Sequence, residues 1–236
     1  MAERIKGTLP LALSVGLLAF LWTWGALNFT FHWVTSGDLG NGLSLPGNFH
    51  VMVPAAFVSW AMFFAAGADN LAAAKVAIAN IFGAVAALLV IIIASGIAGV
   101  PDFWTLGLGV GLAALVLVVL SALGDWYFVP ATFGAFASVF FWWTATGLDK
   151  WAPGGGGVGN NVGALKDPAS AGTGAFGGVL STPYGWVVFD VLVTLMIGVV
   201  LGMLSTRLAA VFTPKPTATA SAERSDDLAG HGELAS

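Results

Sequence analysis

The chain has 236 residues, of which 58% are hydrophobic and 8% are charged, and its mean hydropathy is +0.90. Soluble domains carry about 25% charged residues, so this composition excludes a soluble globular protein and, for most of the chain, a disordered one. The eight Lys and Arg residues, the net charge of −4 and the lack of a basic cluster exclude a nucleic-acid partner, and the absence of Cys excludes disulfides and thiolate sites. The sequence therefore predicts a single-domain integral membrane protein that is surrounded by the lipid bilayer.

Six apolar segments are candidates for membrane-spanning helices. A helix needs about 20 apolar residues to cross the hydrocarbon core of a bilayer. These segments are apolar on every face, whereas the strands of a membrane β-barrel alternate, so the sequence favours an all-α integral membrane protein with six transmembrane helices. The second segment is the shortest and is expected to be partly irregular or little tilted. In chain order they cover 9–33, 51–66, 72–98, 103–123, 126–146 and 184–212.

The first segment follows a basic start, as a cleaved signal peptide does. Its apolar core is much longer than the 7–15 residues typical of such peptides and contains the bulky Trp22 and Trp24, so we interpret it as a retained helix. With the N-terminus in the cytoplasm, most Lys and Arg residues fall on the cytoplasmic side, which predicts that both termini are cytoplasmic. On that side lie Arg4, Lys6, Lys75, Arg207, Lys215 and Arg224, and on the other side lie Lys150 and Lys166.

Two segments fall outside the predicted bundle. Residues 147–183 form a long glycine-rich outer connection, which favours disorder, with a lid over a pore as the alternative. Residues 213–236 are polar and are predicted to form a disordered cytoplasmic tail. The membrane domain is therefore predicted to cover residues 1–212.

An internal repeat is the most informative feature of the sequence. Three matches in the same order predict two three-helix repeats, at about 9–98 and about 103–212. Because three is odd, the second unit enters the membrane from the opposite side, which gives an inverted repeat with the substrate path between the halves. A duplication that only produced a stable bundle is the alternative. The matched pairs are 11–19 with 106–114, 53–57 with 129–133, and 76–80 with 186–190.

Asp190 is the one clear charged residue inside a predicted span, and Asn80 is its counterpart in the predicted repeat. Charged groups within a membrane are costly, so they are functional candidates by default. A polar pair near the pseudo-two-fold axis would line a hydrophilic constriction, and a buried carboxyl there would couple transport to protons. The alternative is a local interaction of Asp190 near the outer interface, where the N-terminus of a helix favours an acid.

Pro54 and Pro130 occupy equivalent positions in the predicted repeat. Interrupted helices at corresponding positions of two halves point to the binding site of a transporter, but a first-turn proline is ordinary, and the positions favour that plain role. Ser59 and Thr132 are expected to form hydrogen bonds within the bundle, and such hydroxyls mostly bond to their own backbone. The candidate transport path comprises Asn80, Asp190, Thr132, Ser59, Pro54 and Pro130.

The sequence predicts neither a metal centre nor an active site. His32 and His50 flank the connection between the first two spans, but two histidines without a spaced carboxylate or thiol are weak candidates for metal ligands. The chain has no P-loop, no dinucleotide-binding fingerprint, no His-Glu-x-x-His and no nucleophile elbow. We therefore expect no enzymatic activity and no cofactor or metal.

Small residues recur four positions apart in several spans. Such spacing lets helices approach one another closely, either within one protomer or in a homo-oligomer, and the sequence leaves both open. The pairs are Gly107 with Gly111, Gly198 with Gly202, and Gly134 with Ser138.

Two stretches, 128–137 and 60–83, resemble a known family. Within the second stretch the similar residues are Phe63, Ala66, Gly67, Asn80 and Gly83. The chain is similar to the YcdZ-like bacterial inner-membrane proteins, which carry the domain of unknown function 1097. The similarity covers about residues 9–208 apart from 147–183. It implies a multi-spanning inner-membrane protein and carries over neither a substrate nor a functional residue.

These features predict a passive channel or secondary transporter for a small polar solute or ion in the bacterial inner (plasma) membrane. The small number of charges within the spans fits a neutral solute better than a multivalent ion. The alternative is a structural or accessory membrane protein that scaffolds a partner complex through its small-residue faces.

Overall fold

A computed structural model describes residues 2–35, 49–96, 104–146 and 184–213, and their side chains over 4–26, 49–93, 104–143 and 185–213. The described residues form six α-helices and one short 3-10 helix, with no strand among them, which confirms the all-α prediction. Residues 147–183, predicted to be an outer loop, and the predicted tail from 214 onward lie outside this set. The helices are α1 (Ala2–Thr35), α2 (Val53–Ala65), α3 (Asn70–Gly96), α4 (Trp104–Val119, continued by the 3-10 helix Leu120–Leu123), α5 (Val129–Thr146) and α6 (Tyr184–Phe212).

Four of these helices are long and apolar enough to cross a membrane. The qualifying segments are Arg4–Ala26, Asn70–Ile93, Trp104–Leu123 and Gly185–Phe212. The other two helices are apolar but shorter, and the 13 residues of α2 give a length of only about 20 Å. Large apolar side chains such as Phe20, Leu112 and Leu115 are exposed on the surface of the bundle, where lipid can cover them. The chain is therefore a multi-pass membrane protein.

The tight turn between α2 and α3 depends on two special residues and a cap. Gly67 has φ +120° and Ala68 has φ +61°, a region that an alanine rarely occupies. Asp69 then caps α3, because its Oδ1 accepts a hydrogen bond of 2.7 Å from the backbone N–H of Ala72. This turn holds α2 and α3 as an antiparallel pair.

The Asp69→Ala substitution is expected to lower the free energy of unfolding by about 1 kcal/mol, because the first turn of α3 loses its side-chain acceptor. Asp69→Asn keeps an oxygen at the same place and is expected to retain most of that stability. Thermal unfolding in detergent micelles measures both, with Asp125→Ala as a control at an exposed acid. Equal losses for Asp69→Ala and Asp69→Asn would show that the cap is not the cause.

The centre of the bundle consists of two closely packed parallel helix pairs, α2 with α6 and α3 with α5. A Cβ atom on Gly198 of α6 would collide with the carbonyl oxygen of Ala56 on α2. A Cβ atom on Gly83 of α3 would likewise collide with the carbonyl oxygen of Thr132 on α5. Only glycine allows backbones to approach this closely, so these two residues set the spacing of the central helices.

The peripheral helices lie on either side of this centre. α1 packs against α6, and α4 packs against α3. The direction of each helix follows from its contacts, since Met52 before α2 meets Thr194 early in α6, and Trp60 further along α2 meets Ser205 further along α6. We call the end where α2 and α6 begin the upper end, and the end where α3 and α5 begin the lower end.

The small-residue pairs serve different purposes. Gly198 and Gly202 are both inside the protomer, because a Cβ atom on Gly202 would run into the ring of Phe63. In contrast, no atom lies within 4 Å of a Cβ placed on Gly107 or Gly111 of α4. Only the α4 pair is therefore free, within the described residues, to contact another helix.

Candidate functional site

The most unusual group of side chains lies near the upper end of the bundle, between α6 and the segment that leads into α2. Asp190, in the second turn of α6, is fully buried, and His50 is 1% exposed. The Nδ1 atom of His50 lies 4.0 Å from Oδ2 of Asp190, which is ion-pair distance and longer than a hydrogen bond. We call these two residues the 50/190 pair.

The carboxylate of Asp190 has few partners inside the bundle. Neither of its oxygens forms a hydrogen bond with a described side chain, and the backbone N–H of His50 faces it. Buried carboxylates are costly unless they are paired and hydrogen-bonded, so this arrangement works against stability. A group retained at such a cost is a candidate for function.

The backbone before α2 is extended and buried at the depth of the 50/190 pair. Val51 and Met52 are 8% and 3% exposed. The N–H of Met52 donates to Oγ1 of Thr194 at 3.2 Å, while the hydroxyl of Thr194 donates to the carbonyl oxygen of Asp190 at 2.7 Å. Non-helical backbone is tolerated within a membrane only where protein or a cavity surrounds it. The short length of α2 therefore has a structural cause, because the non-helical segment 49–52 occupies the depth that further turns of this helix would fill.

Aromatic rings enclose this segment. The rings of Phe49 and Phe189 lie 6.1 Å apart, and those of His50 and Trp142 lie 6.5 Å apart. Trp142 also lines an apolar groove of about 270 Å³ between α2 and α5, together with Pro54. The ring of Trp142 thus lines the groove and also lies beside the imidazole of His50.

A second polar pair lies deeper in the bundle, between α2 and α3. Nδ2 of Asn80 donates to Oγ of Ser59 at 2.8 Å, and both side chains are buried. Oδ1 of Asn80 has no hydrogen-bond partner among the described residues. Buried acceptors are nearly always satisfied, so this oxygen is an unusual feature of the bundle interior. We call these residues the 59/80 pair.

The other candidate path residues take structural positions. Thr132 is buried in the first turn of α5, beside Gly83 at the middle of α3, and its hydroxyl donates to the carbonyl oxygen of Phe128 at 3.2 Å, as expected for a hydroxyl bonded to its own backbone. Pro54 and Pro130 are each the second residue of a helix and are exposed. Neither proline interrupts a helix, so the plain first-turn role fits both.

Sequence reasoning selected Asp190, Asn80 and Ser59 for the path. It considered His50 only as a weak candidate for a metal ligand and did not select Thr194 or Trp142. The structure brings His50 and Thr194 to Asp190 and Trp142 to His50, while Asn80 pairs with Ser59 instead. The available signal was a histidine directly before an apolar segment too short to cross a bilayer, which points to buried irregular backbone. The side chain of His32 lies outside the described residues.

Buried polar groups at two depths of an otherwise apolar helix bundle define a multi-pass membrane protein with a polar site between its helices. The chain matches the family model described as "Protein of unknown function (DUF1097)" over residues 12–210, and it belongs to this family. The similarity expected from the sequence is thereby confirmed at the level of the family. No curated protein and no solved structure matches the chain.

Proposed function

We propose that the protein is a passive channel or secondary transporter for a small polar solute or ion. The observation that carries the proposal is Asp190, a carboxyl that is fully buried inside a membrane bundle. Such a group costs stability, and substrate or ion pathways are its usual setting. The proposal includes no chemical reaction, cofactor or metal.

We further propose that the path lies between two inverted three-helix repeats, one formed by α1–α3 and the other by α4–α6. In the Val-Pro-Ala match, Ala56 is equivalent to Thr132 and Ser59 is equivalent to Ala135. Gly198 meets Ala56 and Ser59, and Gly83 meets Thr132 and Ala135. The two tightest helix contacts are thus equivalent, which supports a pseudo-two-fold relation between the halves.

Two further contacts support the same relation. Ser14 of α1 donates a hydrogen bond to the carbonyl oxygen of Ser205 on α6. In the other half the equivalent residues are Gly109 of α4 and Val90 of α3, and these two also approach each other. Val58 and Gly134 are each other's counterparts, and a Cβ on Gly134 would lie 2.9 Å from Cγ1 of Val58. Counterparts that touch lie on the axis, so we propose that the axis passes between α2 and α5 at this point.

This register changes the partners of the polar residues. With Gly83 equivalent to Gly198, Asn80 corresponds to Leu195 and Lys75 corresponds to Asp190. The pairing of Asn80 with Asp190 inferred from the sequence therefore shifts by five positions. The counterparts of the 59/80 pair are Leu195 and Ala135, which are fully buried and apolar. Because the apolar half packs well, the polar residues of the other half are not needed for packing, which supports a role in transport.

We propose that the lower end faces the cytoplasm of a bacterium and that the protein resides in the inner membrane. Arg4 and Lys6 lie at the start of α1, Lys75 at the start of α3, and Arg207 near the end of α6. All four therefore lie toward the lower end. An excess of Lys and Arg marks the cytoplasmic side of membrane proteins.

Reconstituted liposomes test the proposed transport. Stopped-flow swelling with a panel of small neutral solutes and weak acids is expected to show uptake above that of protein-free liposomes. Asp190→Asn is expected to change this flux by about tenfold, which corresponds to about 1.4 kcal/mol in barrier height, and Thr132→Val is expected to alter it as well. Both changes conserve side-chain shape.

Thr213→Val is the matched control, because this exposed hydroxyl at the end of α6 bonds only to the Ala209 carbonyl oxygen among the described residues. Its flux is expected to equal that of the wild type. Unchanged flux in both Asp190→Asn and Thr132→Val would contradict the path. A complete lack of flux in folded, inserted protein would favour the accessory role and a search for the partner.

A further inference from the structure

We propose that the 50/190 pair is a proton-binding site that holds one proton between its two side chains at neutral pH. This inference rests on the proposed function in one respect, since it makes the proton the coupling ion of the transporter. The observations that carry it are the burial of both residues and the 4.0 Å distance between Nδ1 of His50 and Oδ2 of Asp190.

The number of protons follows from the charge of the pair. A carboxylate beside a neutral imidazole leaves one negative charge in the apolar interior, and a carboxylic acid beside an imidazolium leaves one positive charge. Each of these states leaves the two buried side chains with a net charge, which is unfavourable in an apolar interior. A single proton makes the pair neutral overall, either as carboxylic acid with imidazole or as carboxylate with imidazolium.

No other charged side chain compensates the pair within the described part of the bundle. α2 and α5 contain no titratable residue, and α3 contains only Lys75, near the lower end. On α6 itself, Arg207 follows Asp190 by 17 positions, or about 25 Å along the helix. The described side chains of α1 include only Arg4 and Lys6 as charged groups, both at the lower end. We propose that a proton shared by His50 and Asp190 supplies the counter-charge within the pair.

The pair lies nearer the upper end of the bundle than the lower end, so the upper end is the shorter route for a proton. Asp190 lies six positions after the start of α6, about 9 Å along the helix. Among the described residues, segment 49–52 and its aromatic neighbours cover this side, and the backbone N–H of Met52 donates a hydrogen bond of 3.2 Å to Oγ1 of Thr194.

Spectroscopy of the whole protein in lipid tests the proposal directly. The infrared carbonyl stretch of a protonated carboxyl reports a proton on Asp190, and ¹⁵N-histidine NMR reports imidazolium at His50. The chain has only three His residues, so the spectrum can be assigned with His50→Gln. Asp190→Asn assigns the infrared band, and Asp69→Asn is the matched control at an acid outside the pair.

At pH 7 we expect one of two results. Either the carboxyl band is present and vanishes completely in Asp190→Asn but persists in Asp69→Asn, or the imidazolium signal is present and vanishes in His50→Gln. An ionised carboxylate beside a neutral imidazole would overturn the proposal, as would protonation of both groups.

The same measurements separate this inference from the proposed function. A bound proton in a protein that moves no solute from the swelling panel would keep the proton site and refute transport. Solute flux in a protein whose 50/190 pair binds no proton would support transport and refute the proton site.

Discussion

A single methyl group at Gly198 is expected to prevent normal assembly of the bundle. The Cβ of Gly198→Ala would collide with the carbonyl oxygen of Ala56 and lie 2.9 Å from Cβ of Ser59, and neither group belongs to a flexible side chain that can move aside. Overpacking in a core costs about 1–3 kcal/mol, and here α2 and α6 must separate along their shared length. Gly83→Ala is expected to have the same effect, because its Cβ would collide with the carbonyl oxygen of Thr132.

Matched controls distinguish this contact from a general effect of replacing glycine. Gly107→Ala and Gly16→Ala place a methyl group where no atom lies within 4 Å, and alanine favours a helix by about 1 kcal/mol over glycine. These variants are expected to be as stable as the wild type or more so. Size-exclusion profiles and thermal unfolding in detergent measure all four. Normal assembly of Gly198→Ala and Gly83→Ala would disprove the close approach of the helices.

The helices were accessible to sequence reasoning because their apolar runs are long and well separated. Each predicted span contains a helix, and the short second run corresponds to α2 with the buried segment 49–52 before it. Apolar helices resemble one another by composition, however, so their register cannot be read from hydropathy. The contacts of Gly83 and Gly198 support a register of the proposed repeat that differs by five positions for α3 and α6.

The site was predicted only in part for a related reason. A carboxyl in an apolar helix attracts attention on its own, so Asp190 was found from the sequence. Its partner His50 is 140 positions earlier, in a stretch without helical periodicity, and only the fold brings the two together. Asn80 and Ser59 were both selected, but their pairing depends on the α2–α3 turn, whose strained Ala68 has no sequence signature.

The proposed repeat suggests a test of the polar path, in which two residues of the first half are replaced by their counterparts in the second half. The double variant Asn80→Leu with Ser59→Ala gives the first half the residues of the second, Leu195 and Ala135. Asn and Leu have similar shapes, and replacing both partners of a buried hydrogen bond by apolar groups is nearly neutral or stabilising. We therefore expect a protein that unfolds at the same temperature as the wild type or higher.

Its flux is expected to fall at least about tenfold, because a solute passing between the halves would lose both polar groups of the 59/80 pair, including the free Oδ1 of Asn80. Ser14→Ala is the control, since it removes a buried hydrogen bond to the Ser205 carbonyl oxygen at 2.7 Å, outside the 59/80 pair. That change is expected to lower stability by about 1 kcal/mol and to leave flux unchanged. The opposite responses of the two variants would separate transport from stability. Wild-type flux in the double variant would place the path elsewhere.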